Sequence, residues 1–472
     1  MKRSIVIDPL TRIEGHARVE VDIDEQGQVT NTLFKVMDFR GWETFLVGTQ
    51  VEMMPTVTAR ICGTCSVSHH LASAKAVDKV FGTEPPRAAR LLRYALNLAG
   101  YIHSHGVHLF ALAGPDILLG LDADPASRNI IGLIETAPDL AKKALRLRAI
   151  STQIGETLGG RGIHPVTSIP GGVAQPLAKE KKERMQRLSR EALALAGELL
   201  EVFKKTLTKG AGATPSLPIE THYLGLINKE IGKGLGALDH YQGELRLRSP
   251  DGSVFDFPEE RWTDYLHEEV APASYAKHVF CQLPDTDAVT YRVGPLARLN
   301  CCDCIDTPMA QAELEAFREL GGFPCHETVM YHFARGIELL YAAEKLVELF
   351  ADEETYSDQV RDEPRQSPRD ATGVLEAPRG VLIHDYQVDG NGLLTGVNLL
   401  VATQQNIPSI NATVGMSAAR FIDQPDALLL NGIEFGVRCY DPCLSCATHR
   451  IGEMKLDVIV RREGEVVRRA RR

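Results

Sequence analysis

Apolar and polar positions alternate at the start of the chain, fall into helical spacing through the middle, and alternate again towards the end. Residues 4–36 read as strands: Val19, Val21 and Ile23 interleave with Arg18, Glu20 and Asp22, and Asp24-Glu25-Gln26-Gly27 supplies a turn before Val29 to Val36, predicting an antiparallel hairpin. From Leu71 to Leu207 the apolar positions recur at helical spacing. They predict helices near 71–81, 87–113, 138–158 and 177–208, with Gly159-Gly160 and Gly210 ending two of them. The charge run Lys179 to Arg190 reads as a solvated helix face. Residues 214–300 are mixed and glycine-rich, with Ser249-Pro250-Asp251-Gly252 a turn before Val254 to Phe257. Helices resume near 308–320 and 327–352, and the polar, proline-bearing stretch 357–372 reads as an exposed loop. Val381 to Val388, the turn Asp389-Gly390-Asn391-Gly392 and Leu393 to Val401 form a second hairpin. Strands at both ends of a helical middle predict one α+β unit, predominantly helical, with β-hairpins near both termini.

Composition narrows the function. The chain has 472 residues, is 44% apolar and carries a net charge of −10, which turns away nucleic acid and anionic membrane surfaces as main partners. No apolar run is long enough to span a membrane. Ten cysteines, with no hydrophobic leader after Met1-Lys2-Arg3, lead to the expectation of reduced thiols, metal ligation and a cytoplasmic setting.

Two Cys-x-x-Cys pairs stand out, Cys62 with Cys65 and Cys443 with Cys446, each followed by a histidine, His69 and His449. Such spacing lets two sulfurs converge on one metal across a tight turn, with Gly63 expected to relieve crowding there. Sulfur donors select zinc, iron, copper or nickel over magnesium or calcium. A structural zinc site with four cysteine ligands is one reading. However, such pairs usually staple a small domain, whereas these lie at opposite ends of a chain large enough to bury its own core. Cys301, Cys302, Cys304 and Cys325 could hold an accessory metal or be buried free thiols; Cys281 and Cys439 read as packing residues.

The flanks carry more. Arg60-x-Cys-Gly-x-Cys-x-x-x-His69 and Asp441-Pro-Cys-x-x-Cys-x-x-His449 resemble the two metal-binding signatures of nickel-iron hydrogenase large subunits. Arg12-Ile13-Glu14-Gly15-His16, Arg40-Gly41-Trp42-Glu43, Ile169-Pro170-Gly171-Gly172-Val173 and Glu376-Ala377-Pro378-Arg379-Gly380 are similar to that family too, in its order, so the resemblance covers nearly the whole chain. It implies the family's large-subunit fold. Ala402, in place of the proline common in membrane-associated members, and Ser104, where those members carry an aspartate, point to the soluble, bidirectional branch, NAD-linked or linked to heterodisulfide reductase.

The resemblance implies reversible heterolytic cleavage of hydrogen at a nickel-iron centre, with nickel held by Cys62, Cys65, Cys443 and Cys446. Cys65 and Cys446 would bridge to an iron bearing cyanide and carbon monoxide. Cys443 is the candidate first proton acceptor. Arg379 is either an alternative base or a fixed positive charge over the metals, and Glu14 is a proton relay, its bland alternative being an ion pair with Arg12 or a neighbouring arginine. His69 would hydrogen-bond a cysteine sulfur, and Thr403 an iron cyanide. Glu43, His449 and the backbone carbonyl of Leu399 would hold Mg2+, or iron, at a second site. No Gly-x-Gly-x-x-Gly follows a strand, so electrons must leave to another chain. An iron-sulfur small subunit is implied, with a diaphorase or heterodisulfide-reductase type acceptor beyond it. Residues 1–449 would be one catalytic domain. Residues 450–472, ending Arg468-Arg469-Ala470-Arg471-Arg472, would be a maturation extension cut by an endopeptidase after His449, although composition alone reads them as a solvated basic tail. The competing classes are a structural subunit related to the quinone module of complex I, which lacks the cysteines, and a slow hydrogen sensor.

Overall fold

Because the helices bury the broadest apolar faces, they form the interior. Met330–Ala351 is buried on nearly every side. It packs against Lys182–Thr208, Arg87–Val107 and Pro295–Cys301, and Pro138–Gly159 closes the bundle against the first two of these. The computed structural model describes residues 3–38, 41–208, 215–271, 274–448, 457–462 and 465–471. The predicted helix over 87–113 is interrupted. After Val107 comes a π-helical turn, His108–Leu112, and then Gly114–Leu119. That wider turn sets His108 against Asp441, with Nδ1 3.0 Å from Oδ1. Gly210 lies outside the described residues.

The N-terminal hairpin gains a third strand. Ala17–Ile23 pairs antiparallel with both Val29–Val36 and Arg3–Ile7, and Val19, Val21 and Ile23 face inward as their alternation requires. The stretch 214–300 contains a five-stranded sheet in which Tyr291–Arg292 runs parallel to His222–Asn228. The second hairpin, Gly380–Val388 with Leu394–Leu400, is joined by Ala371–Ala377, so the end of the expected 357–372 loop belongs to a strand. Gly373 lets that strand lie on the helix Ser66–Val80: a Cβ there would fall 2.3 Å from the carbonyl oxygen of Ala72.

The sequence pattern showed only strands beyond residue 380, but two helices follow the hairpin, Ala402–Phe421 and Asp426–Cys439. Pro408 sits inside the first and masks its helical signal. A last hairpin pairs Asp457–Arg462 with Glu465–Arg471.

These two helices draw the chain ends together. Asn411 accepts a hydrogen bond from the backbone N–H of Phe34 at 2.6 Å, and Glu434 accepts one from the N–H of Thr11 at 2.8 Å. Asp116 is shared by three guanidiniums, those of Arg12, Arg128 and Arg438. Arg438 also pairs with Glu434 and donates to the carbonyl of Thr11. Residues 11–14 are therefore held beside the segment that enters the second cysteine pair. Gly15 permits the final approach, since a Cβ there would lie 2.7 Å from Cβ of Leu444. Its φ of +83° also suits glycine.

Removing one partner of a buried charge cluster strands the others at a cost of about 3–5 kcal/mol. Asp116→Asn should lower the denaturant midpoint by a corresponding amount. A midpoint equal to that of the unaltered protein would show that this cluster does not hold the ends together.

Candidate metal centre

Cys62 and Cys65 lie on the loop that enters the helix Ser66–Val80, with Cys65 at its N-cap; Cys443 and Cys446 flank and enter the short helix Leu444–Ala447. The structure brings all four sulfurs within 4.8 Å of one another. Cys65 and Cys443 each stand 3.1 Å from Cys446, and Cys62 stands 3.3 Å from Cys443. Among the described residues this is the one group of three or more His, Cys, Asp or Glu side chains placed to share a metal ion. The expectation for Gly63 is corrected: a Cβ there would meet nothing within 4 Å, so the turn is not crowded.

Sulfurs in such contact cannot all ionise on their own. Hydrogen bonds from Cys443, then Cys446, hold Cys62 well below the usual thiol range. Its contact with Cys446 pushes Cys443 well above that range, and burial does the same to Cys446. Hydrogen bonds from Cys443, then Cys446, also lower Cys65, so contact and burial favour the charged form on the first pair and disfavour it on the second. The donor set fits a soft metal. Beside Cys65, Cys443 and Cys446, rather than a closed shell, lies a small cavity lined also by Ala377, Arg379, Leu382, Val401 and Thr403. A structural zinc site has no use for that space.

Glu14 reaches the cluster from the opposite end of the chain. The Cys443 thiol donates to its Oε2 at 3.2 Å, and Ser445 donates to the same carboxylate through both its N–H, at 3.0 Å, and its hydroxyl. The N–H of Leu444 donates to the carbonyl of Glu14 at 3.0 Å. Arg12 turns away from Glu14 and pairs with Asp116.

Arg379 lines the cavity as a secured cation. Its Nε donates to the carbonyl of Asp441 at 2.7 Å, a second nitrogen lies 3.0 Å from the Asp441 carboxylate, and a third is 3.4 Å from Ser104 Oγ. Burial opposes its charge, yet Asp441 and then the sulfurs hold the guanidinium well above its usual range. This pairing favours the fixed-charge role over the base. Asp441, quoted in the motif without a role, thus supplies the carboxylate that pairs with Arg379.

The loop before Arg379 is fixed by a residue that carried no signal in sequence. Arg298 uses all five of its N–H groups. Two go to Glu338 at 2.6 and 2.7 Å and one to Glu376 at 2.6 Å; the others go to the carbonyls of Ala377 and Pro378 at 2.9 and 3.0 Å. Burial, against the pull of Arg298, pushes Glu376 up to about 7.

His69 Nε2 lies 3.3 Å from Cys446 Sγ. Thr403 Oγ1 accepts the N–H of Cys443 at 2.9 Å. Buried Glu43 accepts the N–H of Leu399 at 3.3 Å; Arg40 and His449 lie outside the described residues. Among the described residues the other cysteines belong to no group of three or more side chains placed to share a metal ion. Cys301 donates to the carbonyls of Tyr223 and Arg246, both at 3.4 Å, and burial pushes Cys302 up to about 12 and Cys325 to about 11.

Comparison with known proteins agrees with this geometry. The family described as nickel-dependent hydrogenase matches residues 40–132 and 252–449, and one described as HoxL-like matches residues 4–39. The chain is 40% identical over 416 residues to a vhu-type F420-non-reducing hydrogenase chain of Methanocaldococcus jannaschii, covering 88% of this chain and 98% of that protein. It is 35% identical over 481 residues to NAD-reducing hydrogenase HoxS subunit beta of Cupriavidus necator, covering 98% and 97%. A solved NAD+-reducing NiFe-hydrogenase in the H2-reduced state superposes with a TM-score of 0.88 at 34% identity, over 95% of this chain and 99% of that one. Because the match takes in both cysteine pairs and the elements that bring them together, the chain belongs to the nickel-dependent hydrogenase family, among its large subunits.

Proposed function

We propose that this chain is the catalytic subunit of a nickel-iron hydrogenase, cleaving H2 reversibly to protons and electrons and passing the electrons to an iron-sulfur small subunit. The observation that carries this reading is the buried sulfur quartet with Glu14 on one flank and the Arg379-lined cavity on the other. Cys62, Cys65, Cys443 and Cys446 would hold nickel, and Cys65 and Cys446 would share it with an iron carrying cyanide and carbon monoxide. When bound, the metal pair supplies the Lewis acid that polarises hydrogen.

The chain's own groups handle charge and protons. Cys443 takes the first proton on Sγ and passes it to Oε2 of Glu14, one hydrogen bond away; Ser445 keeps that carboxylate aimed at the sulfur. Glu14 is only partly buried, so the proton reaches the outer side of the cluster. Arg379, anchored by Asp441, sets a positive charge over the cavity. The Thr403 oxygen is fixed by the Cys443 N–H, leaving its hydrogen free to donate to a cyanide. Glu43 and the carbonyl of Leu399, with His449, would hold Mg2+ or iron. Retention of all four sulfurs disfavours the structural-subunit reading, which needs none of them.

Among the described residues no helix is long and apolar enough to cross a membrane, and we place the enzyme in the cytoplasm, its electrons passing on to a diaphorase or heterodisulfide-reductase type partner. Residues 1–449 form the working domain, and residues 450–472 are an extension removed by an endopeptidase after the metals are in place.

Two measurements follow. Glu14→Gln keeps the shape but removes the titrating proton, so hydrogen-dependent dye reduction by the complex should fall about a hundredfold or more at unchanged nickel content. Turnover at the level of the unaltered enzyme would refute the relay, and loss of nickel would make Glu14 structural. The intact mass of active large subunit should correspond to a chain ending at His449; full activity with residue 472 still present would show maturation without cleavage.

A further inference from the structure

Arg379 lies at the tip of the hairpin formed by Ala371–Ala377 and Gly380–Val388, which closes with Ala377 opposite Gly380, so that Pro378 and Arg379 alone make the turn. The direction of that short turn sets the direction of the guanidinium. Arg298 holds one side of it through the carbonyls of Ala377 and Pro378. The other side is held from a different element. The third strand of this sheet ends at Leu400, opposite Ile383, and so stops short of Val381. Gln405, in the first turn of the helix Ala402–Phe421, takes the place of the missing strand: its Nε2 donates to the carbonyl of Val381 at 2.7 Å, and its Oε1 accepts the Tyr291 hydroxyl at 3.0 Å. A carbonyl oxygen only accepts, so these two partners fix which way the amide faces.

The next residue grips the support beneath the turn. Asn406 accepts the N–H of Val293 at 2.9 Å and donates to the carbonyl of Val293 at 3.2 Å. Val293 leads into Gly294, against which the turn rests: a Cβ on Gly294 would fall 2.7 Å from the Arg379 carbonyl oxygen. Tyr291 and Gln405 are fully buried and Asn406 nearly so, which keeps water from competing for these bonds. The same helical turn carries Thr403, which lines the cavity with Arg379 and accepts the N–H of Cys443. Thr403 and Arg379 thus reach the cavity from separate elements, and Gln405 and Asn406 tie those elements together.

We propose that Gln405 and Asn406 are positioning residues that hold the Arg379 turn in register with Thr403, so that the guanidinium and the hydroxyl keep one spacing over the metal pair. The inference deepens the nickel-iron reading, on which it rests, by adding two neutral side chains that act through Arg379. A charge displaced by about 1 Å from where the transition state needs it costs on the order of a hundredfold in rate.

The test uses the complete complex and compares Gln405→Met, Asn406→Leu and Tyr291→Phe with the unaltered enzyme, each by itself and combined with Arg379→Lys. Nickel and iron content, amide hydrogen exchange of residues 379–382, and kcat and KM for hydrogen are measured. Gln405→Met and Asn406→Leu keep the size of the side chain and lose its bonds: metal content should be unchanged, exchange about tenfold faster and kcat about ten- to a hundredfold lower, with KM unchanged. Tyr291→Phe, which keeps the bond to Val381 but frees the amide, should move exchange and kcat the same way by less. Combined with Arg379→Lys, none of the three should lower kcat by more than about a further threefold, because the group they position is gone. A merely structural role would lower kcat equally in both backgrounds. That additivity, or exchange and kcat unchanged in the metal-loaded single variants, would overturn the inference alone; if the first two variants fail to load metal, Tyr291→Phe decides by the same measurements. Absence of nickel from the unaltered enzyme would overturn both this inference and the reading on which it rests.

Discussion

Four sulfurs in mutual contact, cut off from water, are the constraint that everything else here serves. Two thiolates about 4 Å apart repel by about 4 kcal/mol at an effective dielectric constant of roughly 20. A quartet therefore ionises only if cations offset several such terms. Arg379 provides one positive charge, itself tied to Asp441. The rest must come from metal, which is why the chain gathers these sulfurs and leaves an open cavity beside three of them.

Meeting that constraint makes the fold bring its ends together. The first cysteine pair is anchored to a helix of the interior, and the second follows the helix Asp426–Cys439. The clasp of Asp116, Arg12, Arg438 and Glu434 fixes that helix to residues 11–14. The same clasp delivers Glu14 to Cys443, so the carboxylate that would carry protons arrives by the contacts that close the fold. Arg298 does the equivalent for Arg379, gripping the two carbonyls that precede it.

What could be read in sequence depended on whether the signal was local. Alternation at Val19, Val21 and Ile23 and the turn at Asp389 to Gly392 showed strands, because half-buried strands repeat every two residues. The helices Ala402–Phe421 and Asp426–Cys439 were not legible, partly because Pro408 breaks the pattern of the first. The cysteine pairs, Glu14 and Arg379 stood in motifs, so the site's centre was visible. Asp116, Arg298 and Glu338 were not, because a lone charged side chain reads as surface until the fold supplies its partner. Gly63 shows the opposite error: a glycine in a motif looked like steric relief, yet its surroundings are open, whereas Gly15, pressed on Leu444, is where relief is needed.

The central claim is that this quartet holds nickel and iron rather than a structural ion. Metal analysis of the purified protein, matured in the presence of nickel, tests it most directly. The expected result is nickel and iron near one atom each at the quartet per chain, both lost in Cys446→Ser. One zinc per chain with neither nickel nor iron would contradict it.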